Sequence, residues 1–383
     1  MKDTVHRRFK ELFHSDPVIV IAPGRINLIG EHTDYNEGFV MPAAIDKHFV
    51  FAIAPNGTNQ VNCLAIDLKE QISFKLDELK PGKSWVNYLM GVLDGLHKVG
   101  FPVGGVDCVF ASSIPTGAGL SSSAALCCGF AFGLGEVLNL QLSRLGIAKI
   151  AQYAEHRFAG VMCGIMDQYA SLNGEKDCAL LLDCESLTHE TLPVRLGDYS
   201  ILLIDSKVEH ALASTAYNDR RASCEAAVAI VRKKHSTVAS LRQVTTLMLN
   251  DVQDELGDDT YVKAKFVVDE ISRTRFAATK LKASEVQEFG ALMFETHWGL
   301  SKSYDVSCEE LDHLVLLAEE NRDIVCGARM MGGGFGGCTI NLVKSDKVDY
   351  LRGYVHDKYF ATFGTEPDFY TVQLSRGVHK FGT

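Results

Sequence analysis

In the first half of the chain, apolar positions group into short buried runs and into longer stretches with helical spacing. Apolar runs that predict buried strands lie at 17–22, 49–55 and 106–111. Stretches with helical spacing lie at 85–99, 124–138 and 145–158. The first of these helices is followed by Gly100 and Pro102, a common helix stop. A loop rich in Pro, Gly and Ser at 113–123 leads into the second.

The second half is richer in helical patterns. Strands are predicted at 180–182, 200–205 and 369–374. Helices are predicted at 217–236, 241–250, 261–282, 284–303 and 307–320. Residues 329–343 read as a glycine-rich loop that runs into a strand. The mixture indicates an α+β fold of two lobes, with a boundary near residue 190 that gives domains 1–190 and 191–383.

Composition narrows the class of protein. A chain of 383 residues is too long for one ordinary core, which favours two domains or one large unit. Its 46% apolar and 22% charged residues are globular usage and argue against disorder. A net charge of −10 repels phosphate backbones and anionic membranes, so neither nucleic acid nor a membrane is an expected partner.

Cysteine usage and the apolar stretches bear on the compartment. The 11 cysteines include no C-x-x-C pair, and most lie in apolar runs. Buried thiols in a reducing compartment therefore fit better than a disulfide framework or a zinc site. No signal-peptide core follows the charged first residues, and the longest mostly apolar stretch, 124–134, is too short to span a bilayer. We expect a soluble, cytoplasmic protein.

The segment PGRINLIGEHTDY at 23–35 places six polar residue types among apolar ones directly after a predicted strand. A polar surface loop is the simple alternative, but the interleaved Ile26, Leu28 and Ile29 indicate partial burial. Buried polar groups need partners. Because a sugar hydroxyl both donates and accepts hydrogen bonds, the carboxylates of this segment favour a sugar-binding site.

The segment PTGAGLSSSA at 115–124 opens the predicted helix at 124–138. Glycines let the backbone approach an anion, and the N-terminus of a helix presents unpaired N–H groups to it. One serine would suffice as a simple helix cap, so two glycines and three serines exceed what capping requires. The pattern predicts a phosphate site, with one serine available to magnesium.

A third signal, GGGFGG at 332–337, formally matches the dinucleotide pattern G-x-G-x-x-G. That pattern requires a helix after the glycines, whereas here a strand follows, so a nucleotide-dependent oxidoreductase is disfavoured and a flexible turn is the alternative. The sequence PGKS at 81–84 lacks the glycine that a phosphate-binding P-loop needs at position 77, which is Asp. It reads as a turn.

Two acidic residues occupy positions where apolar residues are expected. Glu155 falls on the apolar stripe of the helix at 145–158, so its carboxylate needs either a basic partner or a metal ion. Periodicity does not separate these alternatives. Asp167 has apolar or small neighbours on both sides and fits either a helix N-cap or a residue inside a cleft.

Taken together, these segments resemble the galactokinase family of the GHMP small-molecule kinases. The resemblance is carried by PGRINLIGEHTDYNEGFVMP at 23–42, PTGAGLSSSAA at 115–125, EHRFAGVMCGIMDQ at 155–168, HALASTAYNDRR at 210–221 and ARMMGGGFGGC at 328–338. It extends over essentially the whole chain. It implies a two-lobed fold with the active site in the cleft between the lobes, and phosphorylation of galactose at its C1 hydroxyl by ATP and Mg²⁺.

The resemblance also implies roles for single residues. Sugar-binding roles fall on Glu31, His32, Thr33, Asp34, Gly164 and Tyr217. ATP-binding roles fall on Gly117, Ala118, Gly119, Leu120, Ser121, Ser122 and Ser123 around the phosphates, and on Trp85 and Asn87 near the adenine. The implied Mg²⁺ ligands are Ser123 and Glu155. Asp167 would be the catalytic base, with Arg25 beside it and near the transferring phosphoryl group.

One departure from the family pattern concerns the third segment, where Met331 replaces the usual Thr, so a hydroxyl contact near the site is absent or replaced by water. Ser123 and Ala124, whose loss marks non-catalytic sensors among the relatives, are intact. Turnover is therefore expected. The remaining alternatives are a kinase of another C1-hydroxyl sugar, such as N-acetylgalactosamine, arabinose or a uronic acid, and a sugar and ATP sensor. We expect a monomer or a weak homo-oligomer.

Overall fold

The structure is a computed structural model that describes residues 1–82, 84–208 and 213–382. Its strands are β1 (Val18–Asn27), β2 (Phe39–Val40), β3 (Pro42–Pro55), β4 (Gln60–Ala65), β5 (Glu70–Lys75), β6 (Val106–Ser112), β7 (Cys178–Asp183), β8 (Thr188–Pro193), β9 (Tyr199–Asp205), β10 (Val325–Met330), β11 (Cys338–Lys344), β12 (Asp368–Val372) and β13 (His379–Lys380). Lys83 of PGKS and residues 210–212 of HALASTAYNDRR lie outside the described residues.

Helices account for most of the remaining chain. They are α1 (Lys2–Phe13), α2 (Val86–Lys98), α3 (Ser122–Leu138), α4 (Arg144–Ala154), α5 (Met166–Asn173), α6 (Ala213–Lys234), α7 (Thr246–Asn250), α8 (Gln253–Leu256), α9 (Asp258–Lys282), α10 (Val286–Lys302), α11 (Glu309–Glu319) and α12 (Val348–Phe363). Single 3₁₀ or π-helical turns lie at Asp34–Asn36, Glu155–Ala159, Leu241–Gln243 and Ser345–Lys347. No helix within the described ranges is long and apolar enough to cross a membrane.

The first lobe is built on a mixed sheet with the strand order β13-β1-β3-β6-β4-β5. β1 and β3 run antiparallel over most of their length, while β4 runs parallel to β6. Helix α3 lies against β1 and β3, and α2 and α4 pack on α3. The approach of α3 is close, because a Cβ on Gly129 would lie 2.4 Å from the Phe51 ring. Helix α1 covers the other face of the sheet with Val5 and Phe9.

The second lobe combines a sheet of order β10-β11-β9-β12 with helices α6 to α12. Helices α10 and α11 pack on β10, and α9 lies between α6 and α10. A small sheet, β2-β7-β8, contacts β3 of the first lobe and α9 of the second. The predicted α+β, two-lobed fold is confirmed. The division at 190/191 stays a prediction; position 190 lies within β8, and β13 returns from the end of the chain to pair with β1.

Three predicted elements were wrong in detail. The stretch 241–250 is not one helix, because Thr245 is extended and its hydroxyl accepts a hydrogen bond from Met248 N, which starts α7 as a separate element. The glycine-rich loop does not begin at 329, because Arg329 and Met330 still belong to β10. The helix predicted at 145–158 ends at 154 and continues as a π-helical turn.

Candidate active site

Arg25 and Asp167 form a paired charge in the cleft between the lobes. Arg25 Nε donates to Asp167 Oδ1 at 2.8 Å, and Arg25 Nη2 donates to Oδ2 at 2.9 Å. Two parallel hydrogen bonds fix the plane of the carboxylate. The Arg25 side chain is almost fully buried, whereas Asp167, in the first turn of α5, keeps 25% of its side chain exposed. A ligand can therefore reach the carboxylate while the arginine holds its orientation.

The glycine- and serine-rich loop reaches the same place from the N-terminus of α3. Gly117 and Gly119 have φ of 78° and 72°, and Ser121, the residue before α3, has φ of 57°. Positive φ at both glycines is the conformation that glycine adopts without steric cost. The loop also lies close to β1, since a Cβ on Gly24 would be 2.7 Å from the Leu120 carbonyl oxygen. This contact holds the loop against the strand that carries the arginine.

Hydrogen bonds tie the loop to the charged pair. Arg25 Nη1 donates to the Gly119 carbonyl oxygen at 2.6 Å. The Ser121 hydroxyl donates to Asp167 Oδ2. The loop and the carboxylate are thus positioned by one arginine, and the N-terminus of α3 opens next to the exposed edge of Asp167.

Glu155 has neutral hydrogen-bond donors as neighbours. The Ser123 hydroxyl donates to Oε2 at 3.0 Å, and the Gln168 amide donates to Oε1 at 2.6 Å. Burial, reinforced by the nearby Asp167 carboxylate, raises the pKa of Glu155 to about 7. Glu155 opens the π-helical turn that follows α4, a distortion frequent at functional sites. The carboxylate and the serine hydroxyl together offer the oxygen ligands that Mg²⁺ prefers.

Glu31 is held by a buried arginine from the second lobe. Arg329 Nη1 and Nη2 each donate to Glu31 Oε1 at 3.1 Å, and the Gly332 backbone N–H donates to the same oxygen at 2.8 Å. Arg329 has no exposed surface, and its Nε donates to the Leu28 carbonyl oxygen at 2.9 Å. One carboxylate oxygen therefore anchors the third glycine loop, while Glu31 still lines the cleft.

Asp34 lies beside Gly164 with no room for a side chain between them. A Cβ on Gly164 would be 1.9 Å from Asp34 Oδ2. Burial, together with the Asp167 carboxylate, raises the pKa of Asp34 to about 7, against the hydrogen bond that Tyr35 N donates at 2.9 Å. Near neutral pH this carboxyl group is present in both its protonated and its ionised form, so it can donate or accept a hydrogen bond.

His32 is a buried, neutral imidazole. Its backbone is in the left-handed region, with φ of 60°, which is uncommon for a residue other than glycine. Nε2 lies 3.2 Å from the Gly333 carbonyl oxygen and Nδ1 lies 2.7 Å from the Tyr35 hydroxyl. Burial lowers the pKa of His32 to about 3, against the opposing effect of the Gly333 carbonyl. The Tyr217 ring, on α6, packs 5.3 Å from the imidazole.

These groups line one cavity of about 350 Å³. Thirteen of the residues singled out from the sequence meet there: Arg25, Glu31, His32, Asp34, Gly117, Gly119, Leu120, Ser121, Ser122, Ser123, Glu155, Asp167 and Tyr217. Ala118 and Thr33 do not line it; both are fully buried, and the Thr33 hydroxyl bonds to the Phe39 carbonyl oxygen at 2.7 Å. Gly164 borders the cavity only through Asp34.

A second cavity, of about 560 Å³, adjoins the first and shares Tyr88, Ser122 and Ser123 with it. Trp85 lines this cavity, and its indole N–H donates to Glu70 Oε2 at 2.6 Å. Its other apolar walls include Phe49, Phe110, Ile114 and Leu126. The size, aromatic lining and position beside the serines suit a nucleoside.

Asn87, singled out with Trp85, lines neither cavity. Its Nδ2 donates to the Gly82 carbonyl oxygen at 2.6 Å, and its Oδ1 accepts from Gly82 N at 2.8 Å. Tyr88, three residues after Trp85, lines both cavities instead. Trp85, the N-cap of α2, and Tyr88 are three residues apart, which places them on one face of the helix. This spacing was visible in the sequence.

Sequence reasoning also missed Arg329 and Gln168, which hold Glu31 and Glu155. Arg329 stands between Ala328 and Met330 in a segment read as a loop, although a charge in an apolar run signals a buried partner. Met331, the departure from the family pattern, is buried in the main apolar core and does not line the cavity. The glycines after it supply the cavity wall.

The arrangement can bring two ligands together. Backbone N–H groups at the start of α3 and three serines can bind a polyanion. Carboxyl groups from the first lobe, with His32 and Tyr217, can bind a small polar molecule. Asp167 and Arg25 lie between these two regions, so a carboxylate base and a cation meet where a group could pass from one ligand to the other.

Comparisons with known proteins agree with this division. The chain matches the galactokinase galactose-binding signature over residues 7–55, the GHMP kinases N terminal domain over 87–175 and the GHMP kinases C terminal domain over 277–359. The signature contains Arg25, Glu31, His32 and Asp34, and the N-terminal domain contains the serine-rich loop, Glu155 and Asp167.

Relatives match over nearly the whole chain. A galactokinase from Roseiflexus sp. (strain RS-1) is 40% identical, covering 99% of this chain and 98% of its own length. A galactokinase from Chloroflexus aggregans is 42% identical over 90% of this chain and 89% of its own. The crystal structure of Lactococcus lactis galactokinase complexed with galactose is 34% identical, with a TM-score of 0.94 and 99% of both chains covered. The chain therefore belongs to the galactokinase family of the GHMP kinases.

Proposed function

We propose that this enzyme transfers the γ-phosphoryl group of ATP to the C1 hydroxyl of galactose, giving galactose 1-phosphate and ADP. The observation that carries the proposal is the Arg25–Asp167 pair, which lies between the serine-rich start of α3 and the polar residues of the 23–35 segment. GHMP kinases are ATP-dependent, and relatives that align over the full length are galactokinases. No observation favours another sugar or a non-catalytic sensor.

In this proposal Asp167 accepts the proton of the C1 hydroxyl as the oxygen attacks phosphorus. Arg25 keeps the carboxylate oriented, because it donates hydrogen bonds to both of its oxygens. The guanidinium also lies close enough to the phosphate loop, through Gly119, to stabilise charge on the transferring group. Since phosphoryl transfer has a loose transition state, such positioning is most of what the enzyme must provide.

ATP would bind with its phosphates along residues 117–123 and its base in the cavity lined by Trp85 and Tyr88. The backbone N–H groups at the start of α3 suit phosphate oxygens, because they have no partner within the helix. Asn87 then acts indirectly, since its amide bonds fix Gly82 in the segment before α2.

Mg²⁺ would be held by Ser123 and Glu155 together with phosphate oxygens. The donor set fits, because Mg²⁺ is commonly bound by one or two carboxylates plus substrate phosphates. Glu155 also has no basic hydrogen-bond partner within the described ranges, and a cation would favour its ionised form. The ion would neutralise charge on the phosphates.

Galactose would contact Glu31, His32, Asp34 and Tyr217 directly. Thr33 and Gly164 would act through the backbone: the Thr33 hydroxyl fixes the loop at Phe39, and Gly164 makes space for Asp34. The expected monomer or weak oligomer and the cytoplasmic location stay predictions.

An ADP-release assay with ATP, Mg²⁺ and a sugar panel tests the proposal. The panel is galactose, glucose, N-acetylgalactosamine, arabinose and glucuronate. Galactose should be turned over far faster than the others. Faster turnover of another sugar would refute the substrate, and binding of ATP and galactose without ADP release would indicate a sensor.

A further inference from the structure

Behind His32, a row of hydrogen-bonded polar groups leads away from the cavity into the second lobe. The Tyr35 hydroxyl lies 2.7 Å from His32 Nδ1 and 2.9 Å from the Tyr304 hydroxyl. The Tyr304 hydroxyl lies 3.2 Å from Cys224 Sγ, which accepts a hydrogen bond from Asn36 Nδ2 at 3.5 Å. Tyr304 has no exposed surface, and Cys224 and Asn36 are also buried.

Both ends of this row have a fixed hydrogen-bonding sense. At the cavity end, the Gly333 carbonyl oxygen, 3.2 Å from His32 Nε2, can only accept. At the far end, Asn36 Nδ2 also donates to the His32 carbonyl oxygen at 2.9 Å, which fixes the orientation of the amide so that its nitrogen faces Cys224.

Each group between these ends must then donate its one hydrogen bond toward His32. Cys224 donates to Tyr304, Tyr304 donates to Tyr35, and Tyr35 donates to His32 Nδ1. His32 is left with its proton on Nε2, which it donates to Gly333 of the third glycine loop.

We propose that Tyr35 and Tyr304 are positioning residues, whose hydroxyls supply the hydrogen bond to Nδ1 that, together with the Gly333 carbonyl at Nε2, holds the neutral His32 imidazole in place and thereby shapes the sugar side of the cavity. Neither tyrosine lines the cavity in the part of the chain described, whereas His32 does. Two further features concern how the His32 side chain is held. Its backbone is in the left-handed region, and the rings of Tyr217 and Tyr304 pack at 5.3 and 5.0 Å from it.

The row also joins the two lobes. Tyr35 and Asn36 belong to the segment after β1, Cys224 lies on α6 and Tyr304 follows α10. Arg220, on α6, holds the backbone at this point by donating to the Tyr304 carbonyl oxygen at 2.9 Å. A shift of α6 relative to the first lobe would break the row at Cys224 and leave the Tyr304 hydroxyl without its donor. The inference rests on the proposed function only in that the ligand affected is galactose.

Hydroxyl deletions test this directly. In Tyr35→Phe and Tyr304→Phe, the rings and their packing remain and only the hydroxyls are lost. The dissociation constant for galactose, from calorimetry, should rise about tenfold in Tyr35→Phe and by a smaller factor in Tyr304→Phe, while that for ATP changes less than about twofold. In Tyr35→Phe the ¹⁵N resonance of His32 Nδ1, assigned with a His32→Asn variant, should move to the position of an unprotonated nitrogen without a hydrogen bond while Nε2 stays protonated, and in Tyr304→Phe it should move less.

Tyr359→Phe is the matched control, because Tyr359 is equally buried and its hydroxyl donates to the Ser206 carbonyl oxygen at 2.8 Å, outside the cavity. If Tyr35→Phe does not fold, Tyr304→Phe carries the test. Galactose binding no weaker than in Tyr359→Phe would overturn the inference, as would weaker binding with unchanged His32 resonances. Galactose binding without ADP release in the unmodified chain would refute the proposed function alone.

Discussion

Asp167 receives hydrogen bonds from an arginine and a serine, yet one edge of its carboxylate remains accessible. Asp167→Asn retains the shape and one acceptor oxygen but removes the base. We expect kcat to fall by about 10²-fold or more, because positioned general bases contribute that much. ATP binding should change little. Steady-state kinetics and nucleotide titration check both points.

Asp183→Asn is a suitable control for that experiment. Asp183 is also a partly exposed carboxylate paired with an arginine, at 3.1 Å from Arg242 Nη2, and it does not line the cavity. An equal loss of kcat in the two variants would contradict the role of Asp167.

Gly164 is required because Asp34 occupies the space where a side chain would be. In Gly164→Ala the new methyl group would overlap Asp34 Oδ2, and the flexible carboxylate must move. We expect KM for galactose to rise about tenfold or more with little loss of stability, because a hydrogen-bonding group is displaced and not the backbone. Gly353→Ala, where no atom lies within 4 Å of the added Cβ, is the control. Unchanged KM in Gly164→Ala would show that Asp34 does not contact the sugar.

The raised pKa of Asp34 predicts a pH dependence of stability. Its pKa is about 7 in the folded chain against an ordinary 3.8, so between these values the folded state holds a proton that the unfolded state has released. This contribution to the free energy of unfolding is complete below about pH 4 and is lost as the pH rises through about 7. Urea unfolding should show the wild type losing stability relative to Asp34→Asn over that range. Parallel pH profiles for the two proteins would contradict the shift.

Most residues that line the cavity could be predicted from the sequence, whereas the residues that hold their side chains in place could not. Glu155 stood out as a carboxylate on an apolar stripe, and Glu31 as one of the carboxylates in the partly buried polar segment 23–35. Their partners Arg329 and Gln168 lie elsewhere in the chain, and no local pattern connects them. Asn87 shows that proximity in sequence does not ensure a shared wall, because its side chain does not line the cavity that Trp85 lines.

Helix α9 of the second lobe supports the loop that begins at Gly30. Glu270 on α9 accepts a hydrogen bond from Gly30 N at 3.1 Å and from the Thr296 hydroxyl at 3.0 Å, and it pairs with Arg273. A Cβ on Gly30 would be 2.8 Å from the Thr274 hydroxyl oxygen, so loop and helix are in direct contact. The position of Glu31 therefore depends on an element far away in sequence.

Glu270→Ala should lower the free energy of unfolding by about 3 kcal/mol, because it leaves Arg273 without its buried counter-charge and Gly30 N without an acceptor. Glu285→Ala removes an exposed carboxylate that pairs with Lys280 near the end of the same helix, and should cost less than about 1 kcal/mol. Urea denaturation measures both. Similar small losses would mean that Glu270 contributes little to the contact between α9 and the loop.

The elements predicted correctly were those with strong hydrophobic periodicity or a clear helix-stop signal. β1, β3, β6 and the helix that ends before Gly100 coincide with apolar runs. β4 and β5 were missed although their residues alternate, because each strand has only six residues and few large apolar side chains, and the stretch 241–250 was wrong because the cap at Thr245 was not recognised. The local hydrophobic pattern predicts an element correctly only where it is stronger than a competing local signal such as a helix cap.

For the molecule as a whole, the α+β class followed from the order of elements, but the closure of the cleft did not. Arg329 joins β10 to Glu31, and β13 adds the end of the chain to the sheet of β1. The first contact links residues 298 positions apart, and the second links Val20 to Lys380, 360 positions apart. The proposed site therefore needs both lobes in place, and its chemistry belongs to the intact chain.

The most direct test of this chemistry is the identity of the product formed from galactose, ATP and Mg²⁺. Phosphorus NMR should show a sugar phosphate coupled to the anomeric proton, with ADP formed in equal amount, and Asp167→Asn should yield almost none. A phosphate on another hydroxyl, or no sugar phosphate although both ligands bind, would contradict transfer to C1.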